Sequence, residues 1–60
     1  MKAVLTAYMK AHKINQSALG LKLGVDRHQV SKWINGIKSP KLETRKKMAR
    51  KLGISITELL

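Results

Sequence analysis

The sequence contains no cysteine, no phenylalanine and one proline, and only three of its 60 residues are acidic. Without cysteine, neither a disulfide nor a thiolate zinc site can cross-link a domain of this length, so side-chain packing alone must stabilise it. A domain of this size buries only about 60% of its unfolded surface, so we expect marginal stability and no large pocket.

The residues that chemistry usually requires are also scarce. Two histidines, three scattered carboxylates and no cysteine form neither a catalytic triad nor a metal cage, and the glycines do not form a phosphate-binding loop. We therefore expect no enzymatic activity, cofactor, metal or small-molecule ligand.

Long apolar runs are absent as well. No run approaches the ~18 residues that a membrane span requires. The N-terminal residues lack the apolar core of a signal peptide, because Lys10, His12 and Lys13 interrupt it. The expected location is the cytoplasm, with no membrane partner.

What the sequence has in excess is positive charge. Thirteen lysines and arginines face three acidic residues, for a net charge of +10. A compact body with this much self-repulsion is typical of proteins that bind a polyanion, first nucleic acid and second an anionic membrane. One tryptophan and one tyrosine leave little for base stacking on single strands.

The spacing of apolar residues predicts two short helices joined by a tight turn, over about 16–35. The first runs from about Gln16 to Leu23, with Leu19 and Leu23 four apart. The second runs from about Arg27 to Asn35, and its apolar face has the 3.6-residue period of a helix. That face consists of Val30, Trp33, Ile34 and then Ile37.

The opposite face of the second helix is polar and lacks acidic residues. It consists of Arg27, His28, Ser31, Lys32 and Asn35. A helix that is buried on one side, presents hydrogen-bonding groups on the other and follows a bracing helix is typical of DNA recognition.

Capping residues mark the ends of these two helices. Asn15 is a good N-cap for the first, and Gly24 ends it where a left-handed conformation is needed. Asp26 is the expected N-cap of the second helix. Gln29, three residues later, completes a capping-box pattern, so the Gln29 side chain is expected to be partly occupied in reaching back to the cap. Gly20 inside the first helix predicts that the next helix passes very close.

Helices are also predicted on both sides. The first covers Lys2–His12, with a core-facing stripe of Leu5, Tyr8, Met9 and His12. Ser39 and Pro40 are the expected N-cap and first residue of a helix that runs to about Leu52. Its inner stripe is Leu42, Arg45, Met48, Ala49 and Leu52, and its outer face is Lys46, Lys47, Arg50 and Lys51. Arg45 is expected to extend to solvent.

The C-terminal residues predict one more helical turn. Gly53 stops the preceding helix, and Ser55 with Glu58 forms a capping-box pattern. This turn is expected to bring Leu59 onto the core, and whether Leu60 joins it stays open.

Four segments together resemble a known family. They are IN-Q-x-x-L-G-x-K-L-G-V, V-S-K-W-I-N-G, S-P-x-L-E-T and K-L-G-I-S-x-x-E-L-L, and they span Leu5 to Leu59. At these spacings the chain resembles the lambda-repressor-like, Cro-type helix-turn-helix domains of phage and bacterial regulators. The resemblance implies one all-α domain over 1–60, a compact five-helix bundle whose DNA-binding unit is about 16–35.

The resemblance also implies roles for single residues. Gln16 resembles a glutamine that contacts phosphate and braces the recognition helix, and Asn35 resembles a phosphate-contacting asparagine. Arg27 and His28 occupy the leading base-reading positions, and Lys38 lies in a loop along the DNA backbone. The expected DNA-binding residues are Gln16, Ser17, Arg27, His28, Gln29, Ser31, Lys32, Asn35 and Lys38.

Each role has a simpler alternative. Arg27 could clamp a phosphate instead of a guanine, His28 could be solvated, and Lys32 suits phosphate and base equally. The basic face of the fourth helix is expected to attract DNA generally without contacting it. Trp33 is expected in the core, with its indole N–H still able to reach a phosphate or a carbonyl.

Three positions depart from the family pattern. An arginine and a glutamate, which often form a buried ion pair, are replaced by Met9 and Ile34, and we predict that these two side chains touch. Gly20 stands where alanine is usual, and Arg45 where leucine is usual.

The sequence thus favours specific binding of double-stranded DNA in transcriptional control, by a Cro-like prophage repressor. One small domain covers a half-site, so we expect a pseudo-palindrome and a weak homodimer assembled on DNA. Two alternatives stay open, a DNA-binding antitoxin with a protein partner and a non-specific basic protein of DNA or membrane surfaces.

Overall fold

The computed structural model describes residues 1–60 as four α-helices and one 3-10 turn. The elements are α1 (Lys2–His12), α2 (Gln16–Leu23), α3 (Arg27–Ile34), α4 (Leu42–Leu52) and the 3-10 turn Ile56–Leu59. The all-α fold is confirmed, and the fifth predicted helix is the 3-10 turn. None of the helices combines the length and apolar character needed to span a membrane.

The core lies where all five elements meet. Leu5 of α1, Leu19 of α2 and Val30 of α3 are completely buried, and Leu59 of the 3-10 turn closes the core. The ten buried apolar residues are Leu5, Leu19, Leu23, Val30, Trp33, Ile34, Met48, Ala49, Leu52 and Leu59. Met9 packs against this cluster; its direct contact with Ile34 stays a prediction.

Each α-helix ends at a backbone turn of the same kind. In α2, the N–H of Val25 donates to the carbonyl of Gly20 at 2.8 Å, and Gly24 has a positive φ of 75°. This pair of features is a Schellman motif. The predicted stop at Gly24 is therefore confirmed. In α1 the corresponding left-handed residue is Lys13, with φ 55°, which its residue type does not indicate.

The close approach predicted at Gly20 is present, and its nearest atom belongs to the turn that leads into α3. A Cβ at Gly20 would lie 2.7 Å from the carbonyl oxygen of Val25 and 3.3 Å from the amide nitrogen of Arg27. The turn and the first residue of α3 therefore approach Gly20, so the predicted proximity of α3 holds at the N-terminal end of that helix.

The predicted start of α4 is wrong. The N-cap is Lys41, which makes no side-chain capping bond, and the helix begins at Leu42. Pro40 is buried in the loop. Ser39 and Pro40 therefore precede the helix, which begins two residues later than predicted.

Several apolar residues predicted in the core are exposed. Ile37 is 70% exposed, because the left-handed Gly36 ends the helical period before it. Leu42 is exposed as the first residue of α4, and Leu60 lies beyond the last turn. His12 is exposed too, at the end of α1, where its ring stacks on the half-buried Tyr8 at 4.1 Å.

The remaining details of the predicted stripes hold in part. Met48, Ala49 and Leu52 are buried as predicted. Arg45 is only half-buried, yet its Nε is buried without a hydrogen-bond partner, so it does not extend fully to solvent.

Ser55 caps the last turn by accepting from the N–H of Thr57 at 3.4 Å. Glu58 makes no return bond, so the predicted capping box is incomplete.

Candidate nucleic-acid interface

α2 and α3 form the most closely packed pair of elements in the molecule. Asn15 caps α2 as predicted, because its side-chain oxygen accepts from the N–H of Ala18 at 2.9 Å. Gly24 then turns the chain, and Asp26 caps the start of α3. The turn between α2 and α3 is therefore held by hydrogen bonds at both of its ends.

A lysine from α4 braces the same turn. The Nζ of Lys51 donates to the carbonyl oxygen of Leu23 at 3.1 Å. A cation at the C-terminus of a helix also complements the helix dipole. The prediction placed Lys51 on a solvated outer face, and that placement is wrong for its terminal amine. Its position beside Leu52, at the edge of the buried stripe of α4, is the only sequence signal for this contact.

α3 has one buried and one accessible face, as its sequence predicted. Val30, Trp33 and Ile34 are buried. On the other side, Arg27, His28, Lys32 and Asn35 are exposed, and Gln29 and Ser31 are half-buried. A helix of eight residues is about 12 Å long, comparable with the width of the DNA major groove.

Asp26 caps α3 through His28 and not through the predicted box with Gln29. Its Oδ1 accepts from the backbone N–H of His28 at 2.8 Å and lies 3.0 Å from the Nδ1 of the same residue. The backbone hydrogen bond from His28 lowers the pKa of Asp26, so this carboxyl is ionised at neutral pH. Gln29 makes no intramolecular side-chain hydrogen bond, which leaves its amide free for an external partner.

The C-terminal end of α3 is similarly organised. The side-chain amide of Asn35 donates to the Oγ of Ser31 at 3.2 Å, which joins two predicted site residues one helical turn apart. The N–H groups of Ile37 and Lys38 both donate to the carbonyl of Lys32, at 2.9 and 3.3 Å. The loop that carries Lys38 is therefore tied to the end of α3.

The two site residues on α2 occupy its first turn. Gln16 is half-buried and Ser17 is exposed. Both follow Asn15, the residue whose side chain caps α2. These side chains stand at a helix N-terminus, where free backbone N–H groups and the helix dipole favour an anion.

Trp33 lies in the core as predicted, but its indole N–H does not find the partner that the prediction allowed. The side chain is only 3% exposed, and its Nε1 is buried with no acceptor. The indole N–H therefore reaches neither the molecular surface nor a carbonyl. An unpaired buried donor costs about 1–3 kcal/mol, a cost that the large apolar area of the buried ring offsets.

The comparison with protein families agrees with this geometry. A family model described as Helix-turn-helix matches residues 5–59. No curated protein and no solved structure gives a significant match. The matched range contains all of α2 and α3, together with α4 and the last turn. The chain belongs to the helix-turn-helix family, in its lambda-repressor-like, Cro-type branch of DNA-binding transcription regulators.

Proposed function

We propose that this protein is a sequence-specific, Cro-like repressor that reads the major groove of a pseudo-palindromic DNA operator. The observation that carries the proposal is the accessible face of α3. It presents Arg27, His28 and Lys32, and no residue of α3 itself is acidic, while the opposite face is buried in the core.

Binding begins with charge. The net charge of +10 draws the protein to DNA, and the release of counterions from the phosphates supplies much of the affinity. Gln16, Asn35 and Lys38 then contact phosphates and set the register of the protein on the duplex, with Ser17 beside Gln16. Such contacts position the domain but carry no direct sequence information.

Base recognition is assigned to the side chains of α3. Arg27, in the first turn, is suited to a bidentate contact with guanine O6 and N7, worth about 1–3 kcal/mol of discrimination. Ser31 and Lys32 extend the readout by one helical turn, and Gln29 contributes its free amide. His28 is the second reader of the first turn.

A single α3 occupies one stretch of major groove, so two copies would bind two half-sites. In such an arrangement the half-sites lie about one helical turn, ~34 Å, apart. We propose a weak homodimer that assembles on the operator, because the DNA itself brings the two copies together.

The test is in-vitro selection from random duplex DNA, followed by titration of the winner and a scrambled duplex at two salt concentrations. We expect a palindromic winner that binds at least ~10³-fold more tightly than the scramble. Equal affinities with a steep salt dependence would show a non-specific DNA coat instead.

Two arginine variants sharpen this test. Arg27→Ala should relax one position of the selected motif. Arg50→Ala removes the same charge from an exposed position on α4, so it should weaken binding to all sequences slightly and leave the motif unchanged. A motif that changes equally in both variants would contradict base reading by Arg27.

A DNA-binding antitoxin remains the second candidate function. Four large apolar side chains, Leu21, Ile37, Leu42 and Leu60, are more than half exposed, and a protein partner could cover them. Capture of a toxin from the source cells, with loss of capture in a Leu21→Ser, Leu60→Ser variant, would favour this alternative over a repressor that binds DNA alone.

A further inference from the structure

The imidazole of His28 is held by one carboxylate oxygen. Asp26 Oδ1 lies 2.8 Å from the backbone nitrogen of His28 and 3.0 Å from its Nδ1. The two side chains are exposed, at 72% for His28 and 69% for Asp26. The other ring nitrogen, Nε2, has no partner within the protein.

The contact with Asp26 favours one of the two ring nitrogens as the site of the proton. Asp26 is ionised at neutral pH and has no proton to offer, so it can only accept. Nδ1 must therefore be the donor in this contact. A neutral imidazole has one N–H, and its second nitrogen is an acceptor. Nε2 of neutral His28 is thus a bare acceptor.

No other acidic group competes with Asp26 for this ring. The remaining acidic residues, Glu43 and Glu58, lie on α4 and in the last turn, and the pair of His28 and Asp26 is the only salt bridge in the molecule. Apart from the phenol of Tyr8 on α1, the other ionisable groups of α3 and of the helices packed against it are basic. They are Lys2, Lys10 and His12 of α1, Lys22 of α2, and Arg27 and Lys32 of α3 itself.

We infer that neutral His28 reads an exocyclic amine, adenine N6 or cytosine N4, through Nε2. These amines are the hydrogen-bond donors of the major groove, whereas guanine offers only acceptors there. The inference deepens the proposed function and rests on it, because it requires α3 to lie in that groove.

Protonation reverses the preference through the same atom. Nδ1 remains the donor to Asp26, and Nε2 becomes a second donor. Guanine O6 and N7 then become suitable partners and cytosine N4 becomes unsuitable, while adenine retains N7 as an acceptor. Cytosine against guanine is therefore the most informative comparison.

The size of the effect is that of one hydrogen bond. The hydrogen bond between neutral His28 and Asp26 is exposed to water and therefore weak. In the free protein it favours the tautomer with the proton on Nδ1, and exclusion of water in the groove strengthens that preference. We expect a three- to ten-fold change in the ratio of cytosine to guanine, about the net contribution of a single hydrogen bond.

The experiment is parallel in-vitro selection at about pH 8 and about pH 5.5, on either side of the ordinary histidine pKa. Wild type should select adenine or cytosine at one position of each half-site at the higher pH. At the lower pH, guanine should replace cytosine there by the stated factor, and all other positions should keep their bases.

Three variants identify the source of the change. His12→Gln removes the only other histidine and should keep the full change, and His28→Gln should abolish it. Asp26→Ser keeps a hydroxyl that can cap α3 but loses the carboxylate beside Nδ1. Its preference at the higher pH should broaden, because either ring nitrogen can then carry the proton.

Other results would overturn the inference. The first is selection of guanine or thymine at this position at the higher pH. The second is a pH-dependent change of base that persists in His28→Gln. The third is tighter binding to all sequences alike at the lower pH, as a phosphate contact would produce. A palindromic motif that is the same at both pH values would refute the role of His28 and leave the proposed function intact. Absence of a motif at both pH values would refute the proposed function as well.

Discussion

The connection between α2 and α3 and the connection between α3 and α4 begin alike and end differently. Both begin with a left-handed glycine, Gly24 or Gly36, and the bonds of a Schellman motif. The first ends at Asp26, whose side chain caps the next helix, and the second ends at Lys41, which provides no such bond. The N-cap predicted for α3, Asp26, is confirmed, whereas the N-cap predicted for α4, Ser39, is wrong because the N-cap is Lys41.

The comparison shows what makes a helix boundary readable. A capping side chain satisfies backbone N–H groups within three residues, so its effect is local and visible in sequence. At 35–41 no side chain caps the next helix, and Pro40 is buried in the loop before it. The motif Ser-Pro resembles a helix start but here lies two residues before one.

The largest predicted effect comes from placing glutamate on each side of Gly36. Ile34→Glu buries an unpaired charge and should lower the free energy of unfolding by about 3–5 kcal/mol. Ile37→Glu, at a 70% exposed residue of the same predicted stripe, should change it by less than about 0.5 kcal/mol. Thermal unfolding followed by circular dichroism measures both.

A second substitution extends this test to α1. If Met9 and Ile34 touch, Met9→Arg combined with Ile34→Glu should recover part of the lost stability, because the buried charge gains a partner. A double variant no more stable than the sum of the single variants predicts would show that the two side chains do not meet.

The next effect tests the close approach at Gly20. Gly20→Ala places a methyl group 2.7 Å from the carbonyl oxygen of Val25. Overpacking should lower stability by about 1–3 kcal/mol, despite the better helix propensity of alanine. Ser17→Ala, in the exposed first turn of the same helix, is the matched control. Equal stability of the two variants would mean that the turn moves away freely.

The brace on the turn should have a smaller effect. Lys51→Met keeps the aliphatic chain but loses the bond to the carbonyl of Leu23, and should cost about 1 kcal/mol in a denaturant titration. Lys47→Met, at an exposed position of the same helix, should be nearly neutral. Similar midpoints for the two variants would argue against a brace.

The end of α1 provides a change of comparable size and opposite sign. Lys13 adopts the left-handed conformation that Gly24 and Gly53 adopt at the ends of α2 and α4. Lys13→Gly should raise the free energy of unfolding by about 1 kcal/mol, because it removes the steric cost of a Cβ there. Lys10→Gly, inside α1, should lower it by a similar amount. The comparison fails if both variants are destabilised.

The smallest effect is the pH dependence of the cap. The pKa of Asp26 is lowered in the fold by the backbone hydrogen bond from His28. The bound carboxylate therefore stabilises the fold above the ordinary value of 3.8, and this contribution is lost as the pH falls through the lower folded-state pKa. The stability advantage over Asp26→Asn should be present at neutral pH and disappear in acid.

Much of the candidate interface could be predicted from local patterns. The polar face of α3 follows from the 3.6-residue period and the positions of Val30, Trp33 and Ile34. The partner of Asp26 could not be read in the same way, because Gln29 fits the capping box and His28 competes for the same carboxylate. The choice depends on the geometry of one side chain, which a spacing rule does not contain.

The sequence by itself determined the helix spacing, the caps at Asn15 and Asp26, the stops at Gly24 and Gly53, and the excess of positive charge. Each of these depends on residue type within one or two helical turns, or on composition alone. Only the tertiary structure decided that Lys51 reaches Leu23, 28 residues away, and that Pro40 and the indole N–H of Trp33 are buried. Such contacts join residues distant in the chain, and their energy exists only once the elements have packed together.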